Sequence, residues 1–323
     1  MISPLYIFDY YLKNVIWGGT KISDYKNITL PGNDIGECWE ISGIKEHESS
    51  VIGGDDSGLL LSELIAKYGE KIVGKDTYAR FGNYFPILIK ILDTCDKLSF
   101  QVHPGEELAM SRHNCHGKTE LWYVVKAADD ALIHAGFNTD ITFEEYKTMV
   151  DDGSITRVIN CFNPKKGEVF YIKPGTVHAI GAGNLLIEVQ QTSDITYRIY
   201  DYQRRDKNGN LRELHTDLAG DAINYRADRG IQITPQVISA DTQQLINCNC
   251  FNVKKIDVSG SKSLDLSARD CFTIIMSIDS DFTVEACGKK EILTRGHAIL
   301  VSAFVNEVTL SGSGSVLAVT MPE

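Results

Sequence analysis

Between residues 37 and 202 the chain is a succession of short apolar runs, each stopped by Gly, Pro, Asp or Asn: ECWEISG, PILIKILD, LSFQVHP, LWYVVKA, EVFYIKPG, NLLIEVQQ and ITYRIYDY. Runs of about four to eight residues with alternating polarity, at this density, are the pattern of an all-β sandwich or barrel. Alternation matters because successive side chains of a strand point to opposite faces.

One run lines up unusual chemistry. In LSFQVHPGEELA (98–109), Leu98, Phe100 and Val102 alternate with Ser99, Gln101 and His103 until Pro104-Gly105 ends the pattern. Leu98, Phe100 and Val102 are expected to pack behind the strand. The opposite face then carries a hydroxyl, an amide and an imidazole in a row.

Helical patterns are fewer. Residues 61–74 (LSELIAKYGEKIVG) carry Leu61, Leu64, Ile65 and Ile72 near helical spacing. Residues 142–153 open on Thr142 with Glu145 three positions on and stop before Gly153, a capping-box start and a glycine end. Residues 215–225 form a weaker third candidate. Beyond about residue 230 short strands return between Gly, Asp and Ser turns, with His297 as the one histidine. The expected organisation is a larger β domain over 1–232, with helical insertions, and a smaller C-terminal β domain over 233–323, divided within the polar stretch NYRADRGIQITPQVISADTQ.

Bulk properties narrow the function. A net charge of -11 argues against non-specific nucleic-acid binding, which needs a basic surface. An acidic chain that handles an anion must gather its basic residues locally. No run reaches the ~18 apolar residues of a membrane span. The opening MISPLYIFDYYLKNVIWGG has no basic segment leading into an apolar block, so no signal peptide is expected. The eight cysteines are scattered and include no CxxC, which predicts reduced thiols in a cytoplasm, most of them packed in the interior.

Gln101 and His103 share a strand face; Glu120 opens another strand in GKTELWYVV; His178 follows the Pro-Gly turn of YIKPGTVHAIGAG. Two imidazoles, a carboxylate and an amide suit Zn²⁺ or another first-row ion. A thiolate-free set borne on strands fits a catalytic site, with a position open to water or substrate. Spacing alone leaves the plainer reading open, that of histidines satisfied by hydrogen bonds, and His47, His113, His116, His134, His215 and His297 take that reading. In TYRIYDYQRRD, Thr196, Arg198, Tyr200 and Tyr202 share one face. Arg198 there can stabilise an anion or pair with Asp201 or Asp206 at the surface. Lys90 interrupts an apolar run, and a buried lysine needs a partner that a bound anion could supply. Lys118 has the parity of Glu120 and faces the same side. Cys115 and His116, just upstream, are further candidates for the pocket wall.

The motifs YLKNVIWGG, GECWEIS, PILIKILD, FQVHPGEELA, GKTELWYVV and KPGTVHAIGAGNLLIEVQQTSDITYRIYDY, in this order, resemble the type I mannose-6-phosphate isomerases of the short bacterial class over roughly residues 5–206. The resemblance implies cupin jelly rolls, with the C-terminal domain a β-sandwich or cupin-like unit. It implies one Zn²⁺ per chain held by Gln101, His103, Glu120 and His178, with Gln101 the weakest ligand. It implies Arg198 as the catalytic arginine, Ser99, Lys90 and Lys118 as substrate and phosphate contacts, and Glu188 as an acid/base. The implied partner is a small sugar phosphate, acted on by a monomer or homodimer, and the implied reaction is interconversion of mannose 6-phosphate and fructose 6-phosphate through a cis-enediol. Either Lys118 or Glu188 can serve as the base. Cys38 stands where the family more often has a small hydroxyl residue. Three rivals share the scaffold: an isomerase of another sugar phosphate, a non-catalytic sensor, and a metal-dependent dioxygenase.

Overall fold

The structure, a computed structural model, describes residues 2–205 and 208–322. It is mainly β, and every strand pairing is antiparallel. A seven-stranded sheet runs in the order 232–233, 169–172, 120–127, 184–191, 87–93, 35–41, 11–19, and a five-stranded sheet in the order 197–200, 100–102, 178–180, 133–137, 159–162. Between them lies a core of Leu92, Trp122, Val124, Phe170 and Leu186 from the first sheet against Ile133, Ala135 and Ile180 from the second, joined by Leu98 just ahead of the strand 100–102. The two sheets thus make a double-sheet barrel, as the alternating runs predict.

Parity within single strands separates the layers. In Glu120–Ala127, Glu120, Trp122 and Val124 point into the barrel, while Leu121, Tyr123 and Val125 point outward into a second core. That outer core is completed by Phe251, Phe272, Ile274, Met276 and Leu300 of the C-terminal region. The outer face of the five-stranded sheet (Phe100, Val102, Val177, Tyr197, Ile199) is covered by the helices Phe143–Asp151 and Thr216–Ala222. Burial of such faces contributes about 25 cal/mol per Å² of apolar surface, so both covers stabilise the barrel.

The C-terminal strands form a ten-stranded sheet around the long pair Asn252–Asp265 and Glu307–Thr320. The sheet also takes in the N-terminal strand Leu5–Phe8, between Ala298–Val301 and the edge strand Val51–Ile52, so the chain's first strand is joined to its last hundred residues.

The Thr142/Glu145 capping box is present: Glu145 N–H donates to Thr142 Oγ1 at 3.2 Å, and Thr142 N–H to Glu145 Oε2 at 2.7 Å. Residues 61–74 do not form one helix. They make Leu61–Tyr68 and Glu70–Val73, because Gly69 and Gly74 take positive φ and break the run, and a further helix, Lys75–Phe81, follows. Gly74 also allows close approach: a Cβ there would stand 2.0 Å from the Asp270 carbonyl oxygen. The helix Glu106–His113 has little apolar periodicity, which is why the pattern misses it. All eight cysteines are free thiols; Cys38 alone is buried and Cys95, Cys161 and Cys287 are exposed, against the expectation of interior packing. No helix among the described residues is long and apolar enough to cross a membrane.

Candidate metal centre and active site

A cavity of about 330 Å³ has a wall that includes Gln101, Lys118, Glu120, Glu188, Ser99, Lys90 and Arg198. His103, Glu120 and His178 converge beside it, all buried, with ligand atoms within 4.8 Å of one another. His103 Nε2 is 3.2 Å and His178 Nε2 3.9 Å from the Glu120 carboxylate. Ligands about 2.0–2.1 Å from a tetrahedral zinc stand roughly 3.3 Å apart, so small side-chain adjustments accommodate the ion.

The supporting contacts fit a metal as well. His103 Nδ1 is 2.9 Å from the Ile195 carbonyl and His178 Nδ1 2.8 Å from the Thr176 carbonyl, so each Nδ1 carries the proton and each Nε2 lone pair faces the common point. Neither Glu120 oxygen accepts a hydrogen bond, although Lys118 Nζ makes an ion-pair contact at 2.7 Å. A buried carboxylate with free acceptor capacity is costly unless something cationic takes it up. Gln101 Nε2 lies 3.3 Å from His178 Nε2; turning the amide about its last bond presents the oxygen instead.

Burial lowers the pKa of His178 to about 3, with His103 adding to the effect, and burial with Lys118 lowers that of His103. Both imidazoles are therefore neutral, the ligand form. Burial alone would raise Glu120, but Lys118 and His103 outweigh it and hold the carboxyl well below its usual range. The site is preset in its deprotonated state.

Around the trio the cavity balances charge closely. Lys90 Nζ lies 3.3 Å from Glu37 and 3.4 Å from Glu188, so protein carboxylates supply the partner that the sequence argument assigned to a bound anion. Glu188 also accepts from Trp122 Nε1 at 2.9 Å, and burial, helped by Glu120, pushes its pKa up to about 7. Arg198 extends from the strand Tyr197–Tyr200 with Nη1 donating to the Glu213 carbonyl at 2.8 Å and its buried Nε without a partner. The cations Lys13, Lys90, Lys118, Arg198 and Arg212 line the wall against the carboxylates Glu37, Glu120, Glu188 and Asp194. This is the local basic excess that an anionic ligand requires in a chain of net charge -11.

Parity holds for Ser99 and Gln101, and for Phe100 and Val102 behind them, but not for Leu98. Phe100 and Val102 pack outside the five-stranded sheet, whereas Leu98 packs inside the barrel and shares the cavity wall. Tyr200 and Tyr202 leave the Arg198 face because the register shifts after Arg198 and Tyr202 takes positive φ; both pack near Phe100. Asp201 pairs with Arg204 and Arg212; Asp206 lies outside the described residues. Cys115 and His116 do not reach the cavity: His116 Nδ1 meets Glu106 Oε1 at 2.5 Å and packs against Tyr84.

Four residues of the cavity wall lie outside the sequence expectations: Glu37, Lys13, Asp194 and Arg212. Glu37 was findable: in ECWEISG it shares parity with Trp39, whose Nε1 donates to Glu37 Oε2 at 2.7 Å. Burial would raise Glu37, but Lys90 and Lys13 hold it below the usual carboxylate range, and Asp194 is likewise held down by Lys90 and Lys13 against burial. Lys13, Asp194 and Arg212 come from three distant segments that no local pattern joins.

Comparison with known proteins agrees with this geometry. Residues 5–149 match the model of the phosphomannose isomerase type I catalytic domain, and residues 241–321 that of the mannose-6-phosphate isomerase cupin domain. Mannose-6-phosphate isomerase ManA of Bacillus subtilis is 40% identical over 265 residues, 81% of this chain and 82% of the relative. The mannose-6-phosphate isomerase of Streptococcus mutans is 34% identical over 88% of both chains. The crystal structure of a mannose 6-phosphate isomerase from Bacillus subtilis superimposes with a TM-score of 0.90 at 29% identity, covering 99% of this chain and 100% of that one. The double-sheet barrel, the imidazole–carboxylate trio and these relatives together make the chain a member of the type I mannose-6-phosphate isomerase family, enzymes of the cupin fold.

Proposed function

We propose that the chain interconverts mannose 6-phosphate and fructose 6-phosphate through a cis-enediol, with one Zn²⁺ held by His103, Glu120 and His178 and, more weakly, by Gln101. The observation that carries this reading is the convergence of a buried two-imidazole, one-carboxylate trio with Lys118, Glu188 and Arg198 around one cavity. When bound, the ion supplies Lewis acidity toward the sugar oxygens.

The chain's own residues do the rest. Isomerisation moves one proton between C2 and C1, so the base must reach both carbons. Glu188, with a pKa near 7, is matched to proton transfer at neutral pH. Lys118 is the alternative, standing between Glu120 and His103 on the same wall. Arg198 faces the enediolate: a guanidinium already oriented by Glu213, with a buried N–H to spare, stabilises charge that develops during the reaction. Ser99, Lys90 and Arg198, with Lys118, are the proposed substrate contacts. The domain division at 232/233 belongs to the same reading, as does a cytoplasmic location, which rests on eight free thiols.

The test is turnover of mannose 6-phosphate to fructose 6-phosphate by purified protein, before and after chelation, with Zn²⁺ restored and with Arg198→Ala beside it. Glucose 6-phosphate runs in parallel. Activity that vanishes on chelation, returns with zinc and prefers mannose 6-phosphate supports the assignment. Binding of the sugar phosphate without turnover by zinc-loaded protein overturns it in favour of a sensor.

A further inference from the structure

Arg198 lies on an edge. Its strand, Tyr197–Tyr200, ends the five-stranded sheet and has a strand neighbour on one side only, Phe100–Val102. Arg198 stands opposite Gln101 there, and the register shifts directly after it. An edge strand leaves backbone N–H and C=O groups to be satisfied from elsewhere. At Arg198 both meet His215. The Arg198 N–H donates to His215 Nδ1 at 3.0 Å, and the His215 N–H donates to the Arg198 carbonyl at 2.7 Å. The imidazole stands in for the carbonyl of a further strand.

The same segment holds the side chain. Two residues before His215, the Glu213 carbonyl accepts from Arg198 Nη1 at 2.8 Å. One residue further back, Arg212 donates from Nε and Nη2 to the Asp201 carboxylate at 2.7 and 2.5 Å. Residues 212–215 therefore grip residues 198–201 at three places: the main chain of Arg198, its guanidinium, and the carboxylate of Asp201.

His215 gives up its local role to do this. It is the N-cap of the helix Thr216–Ala222, where a side chain ordinarily accepts from its own helix, and it makes no such bond. Its ring turns to the strand instead. It stands outside the cavity wall, which takes in Arg198 and Arg212. A backbone amide only donates, so His215 Nδ1 carries the lone pair and Nε2 the ring proton. This is the opposite arrangement to His103 and His178, whose Nδ1 atoms face carbonyls.

We infer that His215 is a positioning residue that fixes Arg198 for the reaction through its Nδ1 acceptor, an inference that rests on the isomerase reading for the role of Arg198. With the acceptor gone, the Arg198 N–H loses its partner at the residue where the register shifts. The strand is then free to turn the guanidinium off its line to the cavity. Misplacing a reacting geometry by about 1 Å costs up to about 10²-fold in rate.

Two readouts on the full-length, zinc-loaded protein test this. Nitrogen-15 NMR of the histidine rings in slightly alkaline buffer is expected to find the His215 proton on Nε2. A proton on Nδ1 overturns the inference, and this arm does not depend on which sugar is turned over. The second readout is kinetic. His215→Ala is expected to lower kcat about tenfold or more. His215→Asn, whose side-chain carbonyl reaches the Nδ1 position, is expected to return to within about threefold of wild type, while His215→Gln, which reaches the Nε2 position, is not. In an Arg198→Ala background, His215→Ala is expected to cost less than about twofold, because a residue that acts through Arg198 has nothing left to position. Equal losses in both backgrounds, or an unchanged kcat in His215→Ala, overturn the inference. A wild type that does not turn over mannose 6-phosphate fails the isomerase reading, and the NMR readout separates that failure from a failure of the contact between Arg198 and His215.

Discussion

Trp122 donates its indole N–H to Glu188 at 2.9 Å from the neighbouring strand of the same sheet. The other Glu188 oxygen faces Lys90 at 3.4 Å. One donor and one ammonium do not fully offset the loss of water, so burial leaves the carboxyl with a pKa near 7, where it exchanges protons at physiological pH.

That elevation has a stability consequence. The folded-state pKa, about 7, lies above the ordinary 4.5. The stabilisation from Glu188 is therefore fully present below pH 4.5 and lost as pH rises through 7. Glu188→Gln removes this dependence. In chemical denaturation of metal-free protein, the stability gap between wild type and variant is expected to shift toward wild type between pH 8 and pH 5, by at most about 1.4 kcal/mol per pH unit. Parallel profiles would show that Glu188 titrates normally.

Lys118 and Glu188 compete for the role of base, and isotope exchange separates them. Loss of a general base typically costs about 10²–10⁴ in rate. Lys118→Met and Glu188→Gln are each expected to lower kcat while leaving zinc content near wild type, since neither removes a ligand of the trio. The substitution that abolishes wash-in of solvent deuterium at C1 and C2 identifies the base. The other, retaining exchange at reduced turnover, acts by positioning. Exchange surviving in both variants would exclude both residues.

Much of this arrangement is legible in the sequence. Strand parity places Gln101, Glu120, Lys118 and Lys90 on cavity-facing sides because both barrel faces are buried and a one-residue slip would reverse them. It fails at Leu98, where the strand has not yet begun, and past Arg198, where a register shift resets the faces. The carboxylate partners of Lys90 escape the sequence for a different reason. Glu37 and Glu188 flank it on adjacent strands of one sheet, and strand order is not written in any local run. The same limit hides Asp194 and Arg212.

Arg198 offers a sharper probe than simple deletion. Its Nη1 is committed to the Glu213 carbonyl, and its Nε is buried without a partner. Removing a donor aimed at developing negative charge costs about 10²–10³ in kcat. Arg198→Lys is expected to lose nearly as much as Arg198→Ala, because an ammonium cannot satisfy the Glu213 carbonyl and a substrate oxygen in the planar geometry of a guanidinium. Measured kcat and KM for both variants, with zinc content as a control, check this. Full rescue by lysine would mean that charge alone suffices.

Zinc removal should be read in stability as well as activity. The ion binds the folded site and not the dispersed ligands of the unfolded chain, so zinc at about 100 times its dissociation constant adds about 2.7 kcal/mol. Chelation is expected to lower Tm and zinc to restore it. Glu120→Gln keeps the shape of the side chain but removes the carboxylate that neighbours both imidazoles, so zinc is expected to leave its Tm unchanged. A zinc-dependent shift that survives in Glu120→Gln would place the stabilising ion outside the barrel trio.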